Sequence, residues 1–213
     1  SPCSLKSHGG AIVNYMLKTK LPTSQDLDDD ANPVKGGRCI LKIKRYRAVE
    51  MPLSVQLWKL CSKAMSEMER ETPFKQGIKQ QEFEDAMSDD SFIKFVLYDE
   101  DRPIGISLVA TDVSKVLWLS PSYFAHKYGT REIHYLLGIV VSKSIASRSY
   151  KGGKLLLQAV IDNFPPDGVL CYDFSQKFHP TLASFGKLMA KKNLCVSQVA
   201  DTLSFCEGEH LQG

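Results

Sequence analysis

Apolar and polar positions change rhythm several times along the chain, and each change marks an element. Ile40–Tyr46 alternates apolar with basic residues, the period-two signature of a half-buried strand. Pro52 and Ser54 then open a helix whose apolar face is carried by Val55, Leu57, Trp58, Leu60, Cys61, Met65 and Met68. A second helix is predicted over Lys79–Met87, ending in Ser88-Asp89-Asp90. Phe92–Tyr98 is apolar and aromatic, residues 99–103 supply an acidic turn, and Ile104–Ala110 returns, which predicts an antiparallel hairpin. Val116–Leu119 predicts a further short strand. Ser120-Pro121 reads as an N-cap with proline at the first helical position, opening a helix through Tyr128 that Gly129 ends.

Ile133–Val141 is the most apolar run of the chain and predicts a strand buried on both faces. Ser149–Asn163 predicts a helix with Leu155, Leu156, Ala159, Val160 and Ile161, closed by Pro165-Pro166-Asp167-Gly168. Val169–Phe174 predicts a strand, Pro180–Asn193 a helix, and Leu194–Val199 with Thr202–Phe205 a hairpin across Ala200-Asp201. Ahead of this series, residues 1–38 form an extension. Its apolar cluster is Ala11–Leu17, and Leu21–Gly37 has the proline, glycine and aspartate content of a linker. Residues 39–213 then make one domain.

Composition narrows the function class. A chain of 213 residues suits one sizeable domain. Its net charge of +3 is spread, without the basic stripe of a duplex binder, so nucleic acid is not expected as a partner. No stretch approaches the ~18 apolar residues that span a bilayer, and the start lacks the order of a signal peptide; a cytoplasmic protein without a membrane partner is expected. The six cysteines are scattered, with no Cys-x-x-Cys pair. That spacing favours buried free thiols over a disulfide framework. The five histidines have no finger-like cysteine partners, so no metal site is expected.

The order of elements from Cys39 to Cys206 resembles the GNAT superfamily of acyl-CoA-dependent N-acyltransferases. Besides the order, the residues carrying the resemblance are the Phe92–Ala110 hairpin with Pro103-Ile104-Gly105, the apolar strand Ile133–Val141, and Arg148-Ser149-Tyr150-Lys151-Gly152-Gly153 before Lys154. The segment Trp118-Leu119-Ser120-Pro121-Ser122-Tyr123-Phe124, with Tyr135 in the following strand, is similar to a bacterial subgroup of that superfamily. The resemblance implies an α/β fold with a mixed, mostly antiparallel sheet flanked by helices, and parallel strands that splay at an acyl-CoA site. It implies that the backbone of Ile139, Val140 and Val141 receives the pantetheine arm. The run from Arg148 to Lys154 stands at the family's pyrophosphate motif, in which glycines bring backbone N–H groups close and the helix N-terminus adds positive charge. Arg148 and Gly153 match that motif, while Lys151 stands in place of its first glycine. Read without the family, Lys151-Gly152-Gly153 is equally the flexible start of a helix.

Amine acylation needs a base for the amine proton and an acid for the leaving thiolate. Glu132 and His134 are the base candidates by position. The tyrosine that commonly serves as acid is missing from Phe185-Gly186-Lys187-Leu188-Met189, which turns attention to Ser175, Tyr172 and His179 as substitutes, with Asp173 beside them as a carboxylate to orient the amine. Each has a structural reading as well: a satisfied strand histidine, a solvated glutamate, a capping carboxylate. A Cys171–His134 nucleophile is a further arrangement, disfavoured because buried thiols are usually inert. The resemblance thus implies transfer of an acyl group, acetyl in the first instance, from acetyl-CoA or another acyl-CoA to an amine acceptor. Two other readings stand beside it: a catalytically degenerate binding or regulatory module, and a synthase taking its thioester from an acyl-carrier protein. A homodimer is compatible with all three. Removal of residues 1–38 is expected to leave the melting temperature nearly unchanged, which a thermal melt of the shortened chain checks.

Overall fold

The computed structural model describes residues 41–68, 78–142 and 146–173. The elements run β1 (Leu41–Tyr46), α1 (Met51–Met68), α2 (Gln80–Ser88), β2 (Phe92–Asp99), β3 (Arg102–Ala110), α3 (Pro121–Tyr128), β4 (Ile133–Val141), α4 (Ala146–Asp162) and β5 (Val169–Tyr172). The strands form one five-stranded sheet in the order β1-β2-β3-β4-β5. Its ladders are antiparallel except the last, where β4 and β5 run parallel. The mixed, mostly antiparallel α/β architecture expected from the sequence is the one observed. The N-terminal extension, the helix expected at Pro180–Asn193 and the late hairpin lie outside the described residues.

Helices cover both faces of the sheet. Leu57, Cys61, Ala64 and Met65 recur at helical spacing on α1 and are buried, so one stripe of that helix packs on the sheet. Phe83, Ala86 and Met87 do the same for α2, and Trp58 meets Phe83 at 5.4 Å between ring centroids. The start of α2 is held by Glu82, whose carboxylate accepts from the Lys79 amide at 2.9 Å. These helices and the inward side chains Val96, Tyr98, Ile106, Leu108, Tyr135, Leu137 and Val140 make one core. On the other face Leu156, Leu157, Val160 and Ile161 of α4 pack on Phe95, Leu97, Val109, Leu136, Ile139 and Val141.

Lys94 is fully buried on β2. Its ammonium donates to the carbonyls of Arg47 at 2.5 Å and Asp89 at 2.6 Å, tying the loop after β1 to the end of α2. Burial lowers its pKa to about 8, because charge is costly away from water.

The alternation of β4 breaks once. Tyr135 and Leu137 share a face with Val140, while Leu136 shares the other with Ile139 and Val141. In the ladder to β3, Leu108 pairs with Gly138 and Val109 with Leu136, so Leu137 is the extra residue of a β-bulge.

Two expectations need correction. Val116–Leu119 is not a strand: a 3-10 turn at Val113–Lys115 precedes it, the Leu119 amide bonds back to the Val116 carbonyl at 3.0 Å, and Leu117 is 74% exposed. Helix α4 begins at Ala146 rather than Ser149; nothing from Ala146 to Ser149 breaks a helix, and the glycines that follow are tolerated because they pack on the sheet.

A Cβ added at Gly105 would stand 2.9 Å from the Val140 carbonyl oxygen and 3.2 Å from Leu156 Cδ1. Backbone lies on one side of that contact and a fully buried leucine on the other, so neither yields easily. Gly105→Val is expected to destabilise by about 2–4 kcal/mol, read as a lowered midpoint in thermal or urea unfolding.

Candidate active site

The bulge marks the place where β4 changes neighbours. Ile133, His134, Tyr135 and Leu136 pair with Val169, Leu170, Cys171 and Tyr172 of β5. Beyond Leu136, among the described residues, no strand pairs with the β5-facing edge of Leu137–Val141, although the other edge stays bonded to β3 as far as Gly105↔Val141. Among the described residues this leaves a fork, in which the backbone donors and acceptors of Ile139, Val140 and Val141 on that side meet no described strand, the geometry to which an extended amide chain adds like a strand. The side chains of Ile139 and Val141 point into the core under α4 and that of Val140 into the opposite core.

Helix α4 starts a few residues past the open edge. The first described turn of α4 is Ala146–Ser149. Arg148 and Ser149 belong to that turn. Tyr150, Lys151, Gly152, Gly153 and Lys154 lie further along, where amides bond within the helix. Gly152 is buried, and a Cβ there would meet Leu97 Cδ2 at 2.9 Å and Val141 Cγ1 at 3.2 Å. Its observed use is the close seating of α4 on the sheet. Lys154 is exposed.

Asp173 follows β5 directly, beside the fork and half-buried. Its carboxyl is hydrogen-bonded to the Tyr135 hydroxyl, and burial, partly offset by that bond, raises its pKa from the usual carboxylate value to about 6. Tyr135 is itself buried; loss of hydration, reinforced by the Asp173 charge, pushes its pKa well above the ordinary phenol value. The Trp118 indole Nε1–H donates to the Tyr135 Oη at 3.0 Å, with the two rings edge to face at 6.2 Å. A buried polar row therefore runs Trp118, Tyr135, Asp173. The Trp118–Tyr135–Asp173 connection has no local signal in the sequence, since it depends on the β4–β5 register. A tyrosine within an otherwise apolar strand was the available pointer.

Glu132 and His134 belong to the opposite side. His134 Nε2 lies 2.6 Å from Glu132 Oε1, and its ring stands edge-on to Phe164 at 5.4 Å, just past α4. The Glu132 carbonyl accepts from the Val169 amide at 2.8 Å, and Arg131 donates to the carbonyls of Asp167 and Gly168. This group braces the starts of β4 and β5. Tyr172 packs against the α4-side core, whereas Cys171 packs against the other. Cys171 and His134 therefore point to opposite faces, and the cysteine–histidine arrangement does not form. Burial pushes the Cys171 thiol up to about 11 and that of Cys61 to about 12; both are free. Ser175 and His179 lie outside the described residues. Among the described residues no cluster of His, Cys, Asp or Glu has metal-holding geometry, and no helix is long and apolar enough to cross a membrane.

A five-stranded sheet with a bulged fourth strand and a parallel fifth, and a helix crossing between those two, is the GNAT fold. The solved structures it resembles agree. An aminoglycoside acetyltransferase from an uncultured soil metagenomic sample, in complex with sisomicin, matches with a TM-score of 0.50 and 15% identity over 79% of this chain and 97% of that one. A possible acetyltransferase from Clostridium difficile 630 matches at 0.51 and 9%, over 80% and 99%. A tetramutant of a Bacillus halodurans protein matches at 0.51 and 14%, over 76% and 99%. No protein-family model matches the sequence, and no curated protein does.

The raised pKa of Asp173 fixes the sign of a pH effect. A carboxyl whose folded pKa exceeds its unfolded value contributes stability below the unfolded value and loses it as pH rises through about 6. Asp173→Asn keeps the shape and removes the charge. Its stability relative to the parent chain is therefore expected to rise between pH 4.5 and 7.5, by on the order of 1–3 kcal/mol, measured by urea unfolding of both proteins at the two pH values.

Proposed function

We propose that the protein is an acyl-CoA-dependent acyltransferase that moves an acyl group, acetyl in the first instance, onto an amine. The observation that carries this reading is the β5-side edge of Ile139–Val141, which no described strand covers, with a half-buried carboxyl of near-neutral pKa beside it. The pantetheine amides pair with Ile139, Val140 and Val141 as an added strand. The pyrophosphate sits at the start of α4, with Arg148 and Ser149 in the first turn, Lys151 and Lys154 adding charge, and Tyr150, Gly152 and Gly153 completing the segment. The acceptor's amine attacks the thioester carbonyl, the tetrahedral intermediate collapses, and the thiolate leaves.

Asp173 is the base in this scheme. Its pKa of about 6 leaves it largely ionised at neutral pH yet basic enough to take the amine proton. Glu132 and His134 fit the role less well, because they are bonded to each other on the far face of β4. Tyr172 and Ser175, on either side of Asp173 in sequence, are the hydroxyls available to the thiolate. An amine acceptor also accords with the aminoglycoside chemistry of the sisomicin-bound fold neighbour.

Calorimetry with acetyl-CoA tests the reading. The parent chain is expected to bind, and the double variant Arg148→Glu/Lys154→Glu to bind at least tenfold more weakly with its melting temperature kept, since charge-assisted contacts contribute about 1.5–3 kcal/mol each. Turnover on an amine should lose its rate as pH falls below about 6, and Asp173→Asn should abolish that limb. Absence of binding heat for the parent chain would overturn the reading. Tight binding without turnover on any amine would favour a ligand-holding module, and turnover only with a carrier-protein thioester would favour the synthase.

A further inference from the structure

The residues between β3 and β4 add a further part to this site. We infer that Trp118 is a positioning residue: its indole N–H occupies the Tyr135 hydroxyl oxygen and so turns the tyrosine's one proton onto Asp173. The catalytic meaning of this arrangement rests on the acyl-transfer reading above; the arrangement itself does not.

The inference follows from donor and acceptor counts. An indole N–H only donates, whereas a phenol hydroxyl has one proton and accepts as well. Trp118 Nε1 lies 3.0 Å from Tyr135 Oη, so the hydroxyl is the acceptor there. Tyr135 is also bonded to the Asp173 carboxyl. With the acceptor side taken by Trp118, the tyrosine proton goes to Asp173, where it favours the ionised carboxylate. Without the indole the hydroxyl is free to rotate, and Asp173 receives its donor only part of the time. Edge-to-face packing of the two rings at 69° and the buried side chain of Val116 hold Trp118 in place. The chain turns there instead of continuing as a strand, with Leu117 directed outward and Trp118 inward.

Among the described residues, Cys171 and Lys127 add to the electrostatics of this row. Cys171 of β5 lies opposite Tyr135 in the ladder and is a neutral thiol near pH 7, since its pKa is pushed up to about 11. Lys127 of α3 is exposed, bonds to the Tyr123 hydroxyl at 2.9 Å, and its charge is felt at Cys171. Tyr135 itself stays protonated through the neutral range.

The test follows the titration of Asp173 in the full chain by carboxyl carbon NMR, with aspartate labelled and the resonance assigned through Asp173→Asn. No acyl-CoA is present, so the outcome is independent of whether the protein transfers acyl groups. The parent chain is expected to titrate near pH 6. Trp118→Phe should move the midpoint up by about half a unit to one unit, and Tyr135→Phe by at least as much. In the double variant the shift should equal that of Tyr135→Phe alone, because Trp118 acts through the hydroxyl. Should Trp118→Phe disturb the fold, benzothienylalanine at position 118 keeps the ring shape, lacks the N–H and should reproduce the upward shift. An unmoved midpoint in the chain lacking the indole N–H would overturn the inference, as would a Trp118→Phe shift of equal size in the Tyr135→Phe background.

Discussion

Strand β4 serves two partners of opposite direction, and the site depends on how it does so. It is bonded antiparallel to β3 from Tyr135 to Val141, and among the described residues its first four residues pair with the parallel β5. A parallel neighbour must arrive by a crossover, here α4, which fixes where β5 enters and how far it stays in register. The extra residue at Leu137 lets the strand keep both cores filled while its pleat slips by one. Without that slip, Ile139 and Val141 would face the α1 side and Val140 the α4 side, and both cores would lose their complementary shapes. The same irregularity lies just past the last described β4–β5 pair, Leu136↔Tyr172.

The seating of α4 is the second constraint on the fork. Gly105 on β3 and Gly152 on α4 both remove a Cβ from the helix–sheet contact, and Val141 meets both vacated positions. Gly152, which falls between the two glycine positions of the motif that the sequence resembles, is used in the fold to set the depth of the helix.

Legibility of the chain follows the range of the interactions involved. Ser120, Pro121 and Gly129 delimit α3 because caps are local: Ser120 accepts from the Tyr123 amide, and Gly129 adopts a φ of +62°. The hairpin of β2 and β3 and the limits of β4 were legible for the same reason. Val116–Leu119 misled because four apolar residues in a row fit a strand, and only the distant Tyr135 hydroxyl explains why Trp118 turns inward instead. The start of α4 was misplaced because the Gly-Gly pair looks like a helix boundary until its packing on Leu97 is seen. Asp173 was legible as a candidate from the resemblance, which sets Tyr172–Ser175 where substrate and cofactor meet; its bond to Tyr135 was not, since the parallel register that brings the two together is written nowhere locally.

What remains is why a carboxyl stands at the fork at all. Burial of an acid without a partner favours its neutral form, and a neutral acid takes no proton from an amine. A fully solvated carboxylate would ionise readily but be a weak base at neutral pH. The half-buried position of Asp173 raises its pKa, and the Tyr135 bond opposes that rise. The two effects leave the group between those limits. Because the tyrosine is oriented from outside the β4–β5 pair, by a tryptophan on the connection from β3, the balance can be adjusted without touching the strand edge on which a pantetheine chain would lie. In the proposed reaction, base strength and ligand placement would fall to separate parts of the fold, one to the row of polar side chains around the buried Tyr135 and the other to backbone.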